Sequence, residues 1–363
     1  MELRKRERMM PFSPRSLLSL LACLLLVGLS FVSCGATSPA NSMALKVGQS
    51  AATVTYFPTY VAIQQGFFKA QGLTLDPPNP ILLGNDAKVE AALESNNIDL
   101  ATGTITAAFT VARVDGTIKL VGAMTNGYTI DIIVSQRFVQ QTHLTEASPL
   151  EEKVKALVDK KIGDAGNSGT TEALIVYLFK MYGFDAQRDA TLVNVGGTTA
   201  AGLAALANGS VDVLSFPAPA GPEAEVRGIG SIFISPVRGD IPAMVDQSYG
   251  VLFLKQSVID AKPKAVQAFI RALAQAQEWI RRNPKRAKEL LGKYLKLDQK
   301  NMDAVASLAM PSMAATPQIS RQAFNTANEF HVKAGLLAVG PHYEDLVDST
   351  LIHRALSGQA SSS

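Results

Sequence analysis

Cysteine is almost absent from this sequence: 363 residues carry two, Cys23 and Cys34. Cys23 lies in an apolar run that an export signal loses on cleavage. Cys34 is then alone, no intrachain disulfide staples the fold, and stability has to come from the core. Histidine is nearly as scarce. None of His143, His331, His342 and His353 falls in a glycine- or threonine-rich turn, and the three in the C-terminal region read as surface or helix-end residues. HExxH, CxxC, GxSxG and P-loop strings are missing, which removes the common zinc-hydrolase, dithiol, serine-hydrolase and nucleotide-binding signatures. An excess of one charge is lacking as well. The formal balance is +3, but residues 1–33 hold five basic and two acidic side chains, which leaves 29 of each sign in the remainder. A neutral remainder has no basic surface for nucleic acid, and no such partner is expected.

What is present is an ordinary globular balance, 47% hydrophobic and 18% charged, in a chain long enough for two lobes. Its start is different. Arg4, Lys5, Arg6, Arg8 and Arg15 precede the apolar run Ser16–Val32, and Ser33 and Cys34 follow. A basic segment, a hydrophobic segment and a small residue before the cut describe a secretory signal over residues 1–33. At 17 residues the run is at the short limit for a membrane span. The Phe31-Val32-Ser33-Cys34 ending resembles a bacterial lipobox, with Phe31 where leucine is usual, and marks Cys34 for lipidation. An acylated cysteine would hold the protein on the outer side of a membrane. Residues 34–43, small and polar, read as a tether, and 357–363 as a disordered tail.

From Ala44 onward short strand and helix patterns alternate, which indicates an α/β class. Val47-Gly48 ends a strand, Ser50–Thr55 is a small-polar turn, and Tyr60, Ile63, Phe67 and Phe68 are spaced for one buried helix face. Thr102–Thr106 reads as a second such turn. Strands over Lys119–Ala123 and Ile130–Val134 are expected to turn about Asn126-Gly127. The pattern then repeats. Lys160–Ala165 parallels Leu45–Ser50, and Ala205–Val213 parallels Ala92–Leu100, at offsets of 115 and 113 residues. The repeat predicts two lobes, one built from 44–130 plus 250–356 and the other from 131–249, with their turns facing a shared cleft. Asp99 and Asp212 sit at equivalent strand entries, a position that suits a structural hydrogen bond better than acid–base work. Amphipathic helices are expected over Pro263–Asn283, from Pro284 to Leu291, and over Ser320–Leu336.

The turns are the candidate site. Ser50, Thr53, Thr104, Thr106, Asn167, Ser168, Thr170, Thr198 and Thr199 place hydroxyls and amides beside helix starts, where free backbone N–H groups receive polar ligands. The same residue types also serve as simple N-caps. Tyr56, Phe57 and Phe216 add aromatic surface near these turns. The stretch Gln49 through Pro58 is the strongest candidate for ligand contact. No cofactor and no metal site is expected.

Several strings together resemble the substrate-binding proteins of ABC transporters of the nitrate/sulfonate/taurine type. They are Tyr60-Val61-Ala62 with Gly66-Phe67-Phe68-Lys69 and Gly72-Leu73, Ala91-Ala92-Leu93 with Ile98-Asp99-Leu100-Ala101, and Gly166-Asn167-Ser168-Gly169-Thr170. Val195-Gly196-Gly197, Asn283-Pro284, and Gly335-Leu336-Leu337 with Asp345-Leu346-Val347 complete the set. The resemblance runs from Leu45 to Leu356. It implies a two-lobed periplasmic-binding fold of type II that closes on a small solute and delivers it to a membrane permease and its ATPase, working as a monomer. The family's ligand turns map onto Gln49-Ser50, Thr104-Ile105-Thr106, Asn167-Ser168-Gly169-Thr170 and Gly196-Gly197; the reading of the residues adds Thr53, Tyr56, Pro58, Asn126 and Phe216 to the expected ligand contacts. The family often has Glu-Pro where this chain has Phe216-Pro217, and no Arg or Lys stands in the matched turns. The solute classes implied are sulfonates, nitrate-like anions and pyrimidine-type compounds. Two alternatives stay open. One is an enzyme like the thiamine-pyrimidine synthases, which share the fold and carry a cysteine cluster that is missing here. The other is a sensor lobe for a membrane receptor.

Overall fold

The computed structural model describes residues 42–166 and 169–358. The expected signal, Cys34, most of the tether, Asn167, Ser168 and residues 359–363 lie outside the described residues.

Ten strands form two five-stranded sheets. In chain order they are β1 Val47–Gln49, β2 Ile81–Leu82, β3 Leu100–Thr104, β4 Ile118–Thr125, β5 Ile130–Ser135, β6 Lys161–Asp164, β7 Thr191–Asn194, β8 Val213–Pro217, β9 Gly230–Ile234 and β10 Gly250–Lys255. One sheet runs β2-β1-β3-β10-β4, the other β7-β6-β8-β5-β9. Strands β1, β2 and β3 are mutually parallel, as are β6, β7 and β8. In each sheet the fourth place is taken by an antiparallel strand, β10 against β3 and β5 against β8. Each of these strands comes from the chain just after it leaves the other lobe. The runs Ile130–Val134 and Gly250–Leu254 are fully buried, as central strands covered on both faces must be.

The internal repeat is visible atom by atom. The Asp99 carboxylate accepts the Lys46 backbone N–H at 2.7 Å, and the Asp212 carboxylate accepts that of Lys161 at 3.1 Å. Asp99 also holds the Lys262 ammonium at 2.9 Å. Both aspartates are therefore clamps between strand entries. Asp99→Ala is expected to cost about 2 kcal/mol in urea denaturation and Asp212→Ala about 1 kcal/mol, because only Asp99 also leaves a half-buried ammonium unpaired.

Eight of the helices build the cleft and the cores: α1 Phe57–Gln64, α2 Asp86–Glu94, α3 Ile105–Ala112, α4 Thr170–Met181, α5 Thr199–Ala207, α6 Pro263–Arg282, α7 Pro284–Leu295 and α8 Arg321–Ala334. Helix α6 buries Val266, Phe269, Ile270, Leu273 and Ile280 on the face that its periodicity predicts. Both α6 and α7 begin on a proline, whose missing N–H has no intrahelical partner to lose. Helix α8 starts from the Ser320 cap, whose side chain accepts the Ala323 N–H, and stops at Gly335 in the left-handed region. It sends Phe324 and Ala327 into the core of the first lobe and Phe330 and Ala334 into that of the second.

Three local expectations are corrected. Thr102–Thr106 is not a turn: β3 runs through Thr104, which caps α3 by accepting the Ala107 N–H at 3.1 Å. Asn126-Gly127 does not close a hairpin, since β4 and β5 belong to different sheets and 126–129 is a crossover between them. The Asn126 N–H donates to Ser312, and a Cβ on Gly127 would lie 2.9 Å from the Ser312 Cβ. The buried face of the first helix is also displaced. Phe57, Val61 and Ala62 are fully buried, while Tyr60, Ile63 and Phe67 are half-buried at its edge. Gly66, at φ 72°, ends that helical phase and begins a new one that turns Phe68 inward.

Candidate ligand-binding cleft

Strands β1, β3, β6, β7 and β8 all deliver the residues at their C-terminal ends to one cavity of about 400 Å³. That is where open α/β sheets place their ligands, because helix starts and loop amides converge there. Ser50 follows β1, Thr104 ends β3, Gly166 follows β6, Asn194 ends β7 and Pro217 ends β8, and each lines the cavity. Tyr249 enters from the returning crossover. The two lobes meet closely at one edge: a Cβ on Gly197 would sit 3.1 Å from the Gly84 carbonyl oxygen.

On the first-lobe wall, the Ser50 and Tyr56 hydroxyls are 3.0 Å apart and buried. The Thr104 hydroxyl donates to the Asp86 carboxylate at 2.9 Å. Asp86 opens α2, whose cap Asn85 accepts the Lys88 N–H at 3.0 Å. Glu90 stands one turn further on, on the same side of the helix, and lines the same cavity. Burial, then the neighbouring Asp86 and Glu94 carboxylates, push the Glu90 carboxyl up to about 7. Burial raises Asp86 as well, against the hydrogen bonds from Thr104 and Ser50. Burial, with Asp86 nearby, also lifts the Tyr56 phenol well above its ordinary value.

The second-lobe wall is made by a turn and a helix start. The Asp164 carboxylate accepts the Gly166 N–H at 2.6 Å, and the Thr171 hydroxyl accepts the Ala165 N–H at 3.2 Å. These bonds hold the turn against the first residues of α4. Gly169 is the N-cap of that helix and has no side chain to offer its first amides. Beneath them Tyr128 donates to the Thr170 carbonyl at 2.6 Å and packs on Tyr249 at a ring separation of 4.6 Å.

Of the expected contacts, the structure brings Ser50, Thr53, Tyr56, Thr104, Gly169, Thr170 and Gly197 to the cavity wall. Gln49 is buried and turned away, donating to the Ala51 carbonyl at 2.6 Å and to the Tyr294 hydroxyl at 3.0 Å. Pro58 packs inside α1. Thr106 is bonded to His331 Nε2 at 2.8 Å; burial pushes that imidazole down to about 4, and its Nδ1 meets the Ala327 carbonyl at 2.7 Å. Asn126 lies in the crossover and Gly196 beside the rim, and neither lines the cavity. Phe216 is fully buried against Gly202 in the second-lobe core, where the strand's alternation points it away from the cleft. Asn167 and Ser168 are outside the described residues. Sequence reasoning missed Asp86, Glu90, Asn85, Asn194 and Tyr249. The i,i+4 spacing of Asp86 and Glu90 was legible as one helix face, but nothing local says that this face meets a cleft.

Comparison with known proteins adds the lineage. A model of the NMT1-like family matches residues 38–292. The chain belongs to the NMT1-like family. This NMT1-like chain is 25% identical over 249 residues to YtlA of Bacillus subtilis (strain 168). The alignment spans 65% of the chain and 66% of YtlA, just under two thirds of that relative's length. Among solved structures, one from Bordetella bronchiseptica RB50 superposes with a TM-score of 0.72 at 19% identity, covering 88% of this chain and 98% of that one. The ligand-binding component of an ABC-type import system from Staphylococcus aureus, solved with zinc, gives 0.67 at 18%, covering 86% and 99%. The alkanesulfonate-binding protein SsuA from Xanthomonas axonopodis pv. citri, bound to MOPS, gives 0.64 at 16%, covering 87% and 98%. At such identities the likeness shows the fold, which is the two-lobed periplasmic-binding one. Among the described residues no group of three or more His, Cys, Asp and Glu side chains is placed to hold a metal ion, and no helix is long and apolar enough to cross a membrane.

Proposed function

We propose that this chain is an exported, lipid-anchored substrate-binding protein that captures one small solute and delivers it to an ABC permease and its ATPase. The observation that carries the reading is the cleft itself: strand ends from two sheets of matching order close on a single cavity with polar walls. Membership of the NMT1-like family and the shared fold with the ligand-binding component of an import system support it. The chain works as a monomer, with 44–130 plus 250–356 as one lobe and 131–249 as the other. Sulfonates, nitrate-like anions and pyrimidine-type compounds are the candidate solutes. The protein binds its solute without transforming it. Thr106 and His331, the hydroxyl–imidazole pair that most resembles a nucleophile and its base, is sealed off from the cavity.

The test is to purify the chain from its native host, denature it and identify what it releases by mass spectrometry, then to add that compound back and follow the radius of gyration. Stoichiometric release and contraction on rebinding are expected. A chain that releases nothing and contracts with no compound is not a receptor. The anchor has its own test: Cys34→Ser is expected to move the protein from the membrane fraction to the soluble exported fraction while leaving solute affinity unchanged, and continued membrane retention would refute lipidation.

A further inference from the structure

Charge on the cleft wall separates the solute classes. Asp86 and Glu90 lie on the same wall, one helical turn apart, and among the described residues the cavity lining contains no Lys, Arg or His. Asp86 accepts a hydrogen bond from the Thr104 hydroxyl. The charged groups around the two carboxylates are few. Glu94 and Lys88 share α2, and the Lys88 ammonium lies beside Gly84 outside the lining. Arg113, just past the end of α3, offsets part of the charge at Glu90. Tyr56, Tyr128 and Tyr249 face Asp86 as buried, neutral phenols. Thr170 and Thr171 of the second lobe line the cavity opposite this wall with neutral hydroxyls. A buried anion needs either a cation or an excess of donors, and here it would instead meet two carboxylates.

We infer that the cleft takes a small organic cation, a protonated amine or amidine whose N–H groups pair with Asp86 and Glu90, in place of a sulfonate or nitrate. This rests on the receptor reading and sets the sign of its ligand. A bidentate N–H donor suits Asp86, whose carboxylate borders the cavity and has lone pairs beyond those that Thr104 and Ser50 engage. The Ser50–Tyr56 hydroxyl pair borders the same cavity and can meet a polar tail.

The sign of the pH dependence follows. The empty site holds Glu90 partly protonated near neutrality, since burial and Asp86 lift it to about 7. A bound cation favours the ionised form, so binding expels a proton. Cation affinity rises with pH up to about 7 and levels off above it; an anion that needs the protonated carboxyl shows the reverse.

The experiment uses the full mature chain and ligands that share a carbon skeleton and differ in the charge of the head group: ethylammonium with ethanesulfonate, and benzamidinium with the nearly isosteric neutral benzamide and with benzenesulfonate. Melting temperature and calorimetric affinity are read at pH 5.5 and pH 8, with contraction followed by small-angle scattering. The cations are expected to stabilise and contract the protein, at least about tenfold more tightly at pH 8 than at pH 5.5. Asp86→Asn and Glu90→Gln, checked for an unchanged ligand-free melting temperature, are each expected to weaken them about tenfold or more. Preferential binding of either sulfonate overturns the inference and leaves the receptor reading standing. Equal binding of benzamide and benzamidinium also overturns it. Contraction with none of these compounds overturns the inference, and the receptor reading falls with it if the natively purified chain has also released no solute.

Discussion

Phe330→Ala is expected to destabilise the protein by about 3–5 kcal/mol, the cost of deleting a buried aromatic whose site cannot collapse. Phe330 is 1% exposed and its ring lies 5.0 Å from Tyr128, 4.9 Å from Tyr177 and 5.0 Å from His331. Those neighbours belong to a strand crossover, to α4 and to α8 itself, each fixed by its own contacts, so the hole stays open. The consequence reaches further than stability. Helix α8 inserts Phe324 in one lobe's core and Phe330 in the other's, so it ties the two lobes together beneath the cleft. Tyr128, which supports the Thr170 carbonyl, loses its packing partner at the same time. Denaturant unfolding of Phe330→Ala beside Phe324→Ala checks the point. Similar stability losses are expected, with the larger loss of solute affinity in Phe330→Ala. An effect below about 1 kcal/mol would mean that these rings do not hold the helix end.

The second large effect is on function. Gly197→Leu is expected to weaken solute binding about 100-fold while changing stability little, because an apparent affinity scales with the fraction of molecules able to reach the closed state. A Cβ at 197 would already stand 3.1 Å from the Gly84 carbonyl oxygen on the other lobe. A methyl at that distance asks its neighbour to yield a few tenths of an ångström, whereas a leucyl side chain has to part the lobes. Gly197→Ala is therefore the mild member of the pair. Gly196 is a different case, since its φ of 82° makes any side chain there strained whatever the space. Isothermal titration with the natively released solute, and scattering to detect an expanded ligand-bound form, read the effect. Full affinity in Gly197→Leu would show that this edge does not close on the ligand.

Much of this architecture is written in local signals. Alternating short apolar runs and amphipathic segments specify α/β; the proline starts of α6 and α7, the Ser320 cap and the Gly335 stop mark those helix ends within a residue or two, while α7 runs on past the expected Leu291 to Leu295. The spacing of Asp99 and Asp212 announced a duplicated strand entry, and the two carboxylates make the same backbone bond in both lobes. The threonine and glycine turns announced a polar cleft. Such features depend on neighbours within a few residues, where capping and periodicity act.

What no local signal carries is which faces meet. Asn126-Gly127 looks like a hairpin turn because turn chemistry is the same whether the next strand pairs back or crosses to another sheet; only the pairing of β4 with β10 decides it. Phe216 and Thr106 have the composition of site residues, and strand alternation and the docking of α8 bury both. Asp86 and Glu90 sit on one helix face like any solvated pair of charges, and only the fold sets that face on the wall of a cavity shared with the second lobe. From the sequence alone came two lobes and a polar cleft. The charge of that cleft, and with it the solute it can accept, is a property of the tertiary structure, because Coulomb energies between groups depend on the distance and screening that folding sets.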